Sequence, residues 1–186
     1  VNKFLPAVAS IALAASLAAC SGSEEPAGEA TAEPVAEETA SELGTAELKD
    51  AEGNVVGVAM VTGTDGALNV KIDVDGLPAG THGAHIHTTG DCSAADFTSA
   101  GGHWNPTEAN HGTESEAPNP HAGDTGNIEI DENGAGTLSN TSTGTWAGLF
   151  DTDGSAFVIH ADADDMKSQP SGNAGARIAC GVFVKG

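Results

Sequence analysis

Leu68-Asn69-Val70-Lys71-Ile72-Asp73-Val74 alternates an aliphatic side chain with a polar one at every step. Successive side chains of an extended chain point to opposite faces, so this is the period of an antiparallel strand with one face in a core. Ahead of it lies a denser apolar run, Val55 to Val61, and Gly63-Thr64-Asp65-Gly66 between the two carries turn chemistry. Further on, Ile128 and Ile130 start another strand, Asp131-Glu132-Asn133-Gly134 turns into Gly136 to Leu138, and Phe157-Val158-Ile159 is a further apolar run. With 25 Gly, 5 Phe, 2 Trp and no Tyr, the core rests on Val, Ile, Leu and Ala between many turns. Short strands at hairpin spacing predict an all-β sandwich or flattened barrel. Two stretches break that rhythm. Residues 88–125 and 161–178 are long, polar and rich in Gly, Pro and Asn, and long irregular loops in a compact domain are usually functional or disordered.

The ends frame one domain. Residues 1–19 read as a secretion signal, with Lys3 before a short apolar stretch that is too short and too alanine-rich to span a membrane well. Leu17-Ala18-Ala19-Cys20 followed by Ser21-Gly22-Ser23 resembles the bacterial lipobox, in which the signal is removed and Cys20 is lipidated. Residues 20–43 are then a lipidated cysteine and a disordered Ala/Glu-rich tether, and residues 44–186 the folded domain. Lipidation places the protein in the bacterial cell envelope, on a membrane, facing the periplasm or in the outer membrane. If Cys20 carries lipid, only Cys92 and Cys180 remain for one intramolecular bond, which an oxidising compartment permits. Such a bond could stabilise the domain by roughly 4 to 5 kcal/mol on the chain-entropy account. With Lys3 gone and the tail's glutamates set aside, the formal charge of -21 leaves -15 on residues 44–186. That excludes nucleic acid as a partner, since binding it requires clustered Lys and Arg.

All seven histidines, His82, His85, His87, His103, His111, His121 and His160, lie between positions 82 and 160. His85-Ile86-His87 puts two imidazoles on one face of a strand roughly 7 Å apart, close enough to reach one metal; His82 has the opposite parity and faces away. His103, His111, His121 and Asp124 share a loop with little reason to be ordered unless something such as a metal gathers it. Three imidazoles and a carboxylate make the closed set that zinc prefers.

Gly80-Thr81-His82-Gly83-Ala84-His85-Ile86-His87 resembles the copper-binding signature of Cu,Zn superoxide dismutases, and Gly172-Asn173-Ala174-Gly175-Ala176-Arg177-Ile178-Ala179-Cys180-Gly181 resembles their second signature. Between them Ser99 to Pro106, His111-Gly112, His121 to Asn127, His160 and Ala163-Asp164-Asp165 fall in the family's order. The resemblance implies a Greek-key β-sandwich or flattened barrel with two long functional loops. It implies copper on His85, His87, His103 and His160, and zinc on His103, His111, His121 and Asp124. His103 bridges the metals, Asp164 links the free ring nitrogens of His85 and His111, and His82 bonds to backbone across the strands. Cys92 and Cys180 form the family's disulfide. The implied activity is disproportionation of superoxide to oxygen and hydrogen peroxide, with the electron chemistry at copper and the loop and bridge held by zinc.

Superoxide is an anion and the domain is acidic, so local cations must admit it. Arg177 matches the family's guanidinium beside copper, and with His103 it is the expected catalytic residue; Lys167 is the candidate for steering. Asp164 to Ser171 and Gly90 to Phe97 resemble bacterial rather than eukaryotic members, so monomer and homodimer both stay open. The alternative reading is a dismutase-like lipoprotein that buffers or delivers copper or zinc.

Overall fold

The computed structural model describes residues 42–112 and 120–186. The expected signal segment, Cys20 and the tether up to residue 41 lie outside the described residues. Among the described residues nine strands run β1 (Glu42–Lys49), β2 (Val55–Thr64), β3 (Ala67–Val74), β4 (Gly80–His87), β5 (Asp124–Ile130), β6 (Gly136–Ser142), β7 (Ala156–His160), β8 (Arg177–Val182) and β9 (Val184–Lys185), with one short α-helix, α1 (Trp146–Leu149), and a 3-10 turn over Thr98–Ala100. Every pairing is antiparallel. The strands follow the order β2-β3-β6-β5-β4-β7-β8-β1, and β1 pairs back onto β2, so eight strands close a barrel while β9 adds to β1. The β3 to β4 and β6 to β7 connections each skip two neighbours, which is Greek-key wiring. Closure leaves no long open edge for other chains to pair with.

Leu68, Val70, Ile72 and Val74 are all buried, as their alternation on β3 requires, while Asn69 and Lys71 are exposed. They join Val61, Ile86, Ile128, Phe157 and Ile159 in one core. Each large aliphatic side chain removed from water stabilises the fold by about 1.5–3 kcal/mol before entropy is counted. Strand β7 is buried on both faces, which explains its unbroken apolar reading. Phe157 and Ile159 enter the barrel core, whereas Ala156 and Val158 pack with Phe97, Ala100 and Cys180 beneath the first long loop. The Cys92–Cys180 disulfide, with Cα atoms 5.9 Å apart, pins that loop to β8.

The boundaries differ from the sequence expectation in informative places. Ladder pairing continues through Gly63 and Thr64, leaving only Asp65 and Gly66 as the turn. The two long loops are shorter than residues 88–125 and 161–178, because β5 begins at Asp124 and β8 at Arg177. Those two side chains therefore stand on strand ends rather than on loops. Helix α1 carried no sequence signal, being a single turn; the Thr145 hydroxyl caps it by accepting from the Gly148 N–H at 3.0 Å, and Trp146 and Leu149 join the core.

Candidate metal centre

Strand β4 presents His85 and His87 on one face, with Ala84 and Ile86 turned into the core on the other. His103 reaches them through an isolated bridge to His87, and His160 ends the neighbouring strand β7. One potential ligand atom from each of the four rings lies within 4.8 Å of all the others, and all four residues are buried. Outer nitrogens are held by the protein. His87 Nδ1–H donates to the Gly101 carbonyl at 2.9 Å, His160 Nδ1–H to the Gly175 carbonyl at 3.3 Å, and His85 Nε2–H to Asp164 Oδ2 at 2.8 Å. A carbonyl or carboxylate can only accept, so these partners fix the protons on the outer nitrogens and leave lone pairs facing inward. Inside, His87 Nε2 and His160 Nε2 face each other at 3.2 Å, while His85 Nδ1 and His103 Nε2 are buried without a hydrogen-bond partner. Orphaned imidazole nitrogens converging on one point fit a copper or zinc ion.

The second group gathers on Asp124, the first residue of β5. His103 Nδ1, His111 Nδ1 and His121 Nδ1 lie 2.8, 3.0 and 3.2 Å from Asp124 Oδ1. The other oxygen accepts from the Gly112 and His121 backbone N–H groups at 2.8 and 3.1 Å. His121 Nε2–H donates to the Ala109 carbonyl, so in the neutral ring Nδ1 turns a lone pair toward a carboxylate oxygen. Two facing acceptors are stabilised by a cation between them, and three imidazoles with one carboxylate suit tetrahedral zinc. His103 belongs to both groups, one ring nitrogen in each.

Asp164 joins the two groups from behind. Its Oδ2 accepts from His85 and its Oδ1 from His111 Nε2–H at 3.0 Å and from the Met166 N–H. Asn127 on β5 holds the backbone of Asp164 at both ends, donating to its carbonyl at 2.9 Å and accepting from its N–H at 2.8 Å. A Cβ at Gly172 would fall 1.7 Å from Asp164 Oδ1, so only glycine lets the backbone pass here. His82 faces away as expected, contacting the His160 carbonyl at 2.8 Å and the Pro78 carbonyl at 3.0 Å.

Arg177 opens β8 opposite His160 in the ladder. Its Nη1 donates to the Phe97 carbonyl and its Nη2 to the Gly101 carbonyl, which also accepts from His87. Phe97 holds its carbonyl there in a left-handed conformation, φ 58, with its ring buried under the disulfide loop. Among the described residues no carboxylate pairs with Arg177 or with the exposed ammonium of Lys167. Sequence reasoning singled out neither Asn127, quoted only inside a motif, nor Gln169, whose amide contacts the backbone of His111.

Burial pushes His103 down to about 4 and His160 to about 3, the neighbouring His85 ring adding to both shifts. Burial, then the His103 ring, holds His87 well below the usual imidazole range. Burial would also lower His111, but hydrogen bonds to Asp124 and Asp164 outweigh it and lift the ring to about 9. Burial opposes ionisation of Asp124 and Asp164, yet the histidine hydrogen bonds keep both carboxylates well below their ordinary range. His87, His103 and His160 are therefore neutral and ready to ligate near pH 7.

A pH dependence of the metal-free protein follows. Between the ordinary imidazole value of 6.5 and about 4, unfolded chains bind protons that folded His87, His103 and His160 refuse, so stability falls as pH falls. The His111 contribution is complete below 6.5 and is lost as pH rises through about 9. Thermal midpoints of chelator-stripped protein are expected to peak near neutrality and decline on both sides. A profile flat from pH 4 to 9 would contradict this account.

The family model described as copper/zinc superoxide dismutase (SODC) matches residues 52–183. A Cu-Zn superoxide dismutase of Aquifex aeolicus is 42% identical over 145 residues, covering 74% of this chain and 84% of the relative. A Cu-Zn superoxide dismutase of Caulobacter vibrioides is 40% identical over 150 residues, covering 75% and 84%. The crystal structure of a SOD-like protein from Bacillus subtilis superposes with a TM-score of 0.69 at 36% identity, covering 75% of this chain and 97% of that one.

Proposed function

Because this chain belongs to the copper/zinc superoxide dismutase family, we propose that its two imidazole groups are the metal centre at which it disproportionates superoxide to oxygen and hydrogen peroxide. His85, His87, His103 and His160 hold copper, and His103, His111, His121 and Asp124 hold zinc. The observation that carries the assignment is the sharing of His103, with Nδ1 at Asp124 and Nε2 orphaned among the copper ligands. Bound copper supplies reversible one-electron chemistry, which zinc lacks.

The chain supplies the rest. Strands β4 and β7 hold His85, His87 and His160 rigidly, and the outer hydrogen bonds keep each ring in the tautomer that ligates. His103 Nε2 is the buried position where a proton can be held and passed to the reduced dioxygen product. Arg177 attracts the substrate: two of its N–H groups are spent on the Phe97 and Gly101 carbonyls, which aim the guanidinium, and among the described residues no carboxylate forms a salt bridge with it, Asp96 acting on it only from a distance. In a domain this acidic such local cations set the field that an incoming anion meets. Lys167 serves as a second, exposed cation in that field. Lys167→Ala is expected to lower the low-salt rate about twofold and to leave the rate at high salt unchanged. An unaltered low-salt rate would remove Lys167 from the steering role.

Superoxide decay followed optically, with the purified chain loaded with copper and zinc, tests the activity. Catalysis approaching roughly 10⁸–10⁹ M⁻¹s⁻¹, lost on copper removal, supports it. Decay no faster than with equal free copper would favour a dismutase-like metal carrier.

We further place the enzyme on a membrane of the bacterial envelope, through a lipid on Cys20, from the lipobox-like Leu17-Ala18-Ala19-Cys20. Fatty-acid labelling in cells is expected to mark the native chain and to disappear in Cys20→Ala, which fractionates differently. Equal labelling of both would refute the anchor.

A further inference from the structure

The Gln169 amide makes three hydrogen bonds, all to main chain. Its Oε1 accepts from the His111 N–H at 2.8 Å, and its Nε2 donates to the His111 carbonyl at 3.1 Å and to the Lys167 carbonyl at 3.1 Å. The first two imitate one rung of a β-ladder in a segment that belongs to no strand. Among the described residues, Gln169 is the hydrogen-bond partner of both backbone groups of His111. The next residue reinforces the docking: Gly112 has φ +84, and a Cβ on it would lie 2.0 Å from the Met166 carbonyl oxygen. Residues 111–112 of the first long loop thus run against 166–167 of the second at a distance that only glycine permits. The side chain of His111 completes the junction through Asp164.

A ligand on an irregular loop has to be ordered before it can coordinate, and fixing its backbone costs conformational entropy. Ordering done in advance by the protein is not charged against binding. His85, His87 and His160 stand on β4 and β7 and are ordered by the barrel itself. His111 stands on neither strand, so its placement depends on what grips its main chain.

We infer that Gln169 is a positioning residue for zinc, clamping the backbone of His111 so that its imidazole is in place before the metal arrives. The inference rests on the reading of the His103, His111, His121 and Asp124 group as a zinc site, and it goes beyond that reading by assigning a role to a residue of the other loop. Because Gln169 hydrogen-bonds to His111 and Lys167 and to none of the copper ligands, its loss acts on the two metals unequally.

The test uses full-length chain, unaltered and with Gln169→Met, which keeps the length and removes both hydrogen-bonding ends. Competition with a chromophoric chelator is expected to show zinc affinity falling about tenfold, the range for residues that orient ligands, with copper affinity changed less than about twofold. Cobalt(II) placed in the zinc group is expected to show weakened and shifted visible bands. In the metal-free variant the His111 amide proton is expected to exchange faster, whereas that of Ile86 on β4 keeps its rate. Unchanged zinc affinity overturns the inference, as does an equal loss of both metals, which would mark general destabilisation. An unaltered chain that takes up copper but no zinc overturns the zinc reading itself, and the inference with it.

Discussion

Replacing Asp164 with alanine is expected to weaken both metals at once, by about 10–100-fold each. One carboxylate receives His85 Nε2–H at 2.8 Å and His111 Nε2–H at 3.0 Å, and its side chain is fully buried. Its removal frees one ligand ring in each group to rotate or change tautomer. It also strands two ring N–H groups in the interior, at about 1–3 kcal/mol apiece. Asp164→Asn separates the two tasks, because an amide offers one oxygen and one NH₂ group and can serve only one of the two ring N–H donors. Chelator competition on both variants reads the result. Loss of one metal alone in Asp164→Ala would mean that the link between the groups carries no energy.

Arg177→Ala is expected to lower kcat/KM about tenfold or more with both metals still bound. None of the four copper-group rings hydrogen-bonds to the guanidinium, so the site survives; what goes is the positive charge and its two-carbonyl mount. The salt dependence of the rate should shrink together with the rate. Arg177→Lys keeps the charge but cannot span the Phe97 and Gly101 carbonyls with a rigid fork, so it should recover only part of the loss. Turnover equal to that of the unaltered chain in Arg177→Ala would show that substrate capture needs no guanidinium.

Much of this site is legible along the chain because its chemistry is carried by side-chain identity. The His-x-His spacing on a strand already places two imidazoles on one face, and β4 does so. The period of residues 68–74 already commits β3 to a half-buried antiparallel place, and the structure sets it between β2 and β6. The disulfide needed only two cysteines left over in the domain.

The sequence by itself determined the all-β class, the two long loops, and the set of histidines and carboxylates, since strand period and ligand chemistry are properties of the residues present. Only the tertiary structure decided how the barrel closes, with β1 pairing β2 on one side and β8 on the other. It alone decided that Asp124 and Arg177 stand on strand ends, that Gly101 offers one carbonyl to both His87 and Arg177, and that Asn127 and Gln169 grip the backbones of Asp164 and His111. The reason is common to all of these. They are contacts to main-chain groups far away along the chain, and the main chain is the same at every position, so the partner leaves no mark in the sequence.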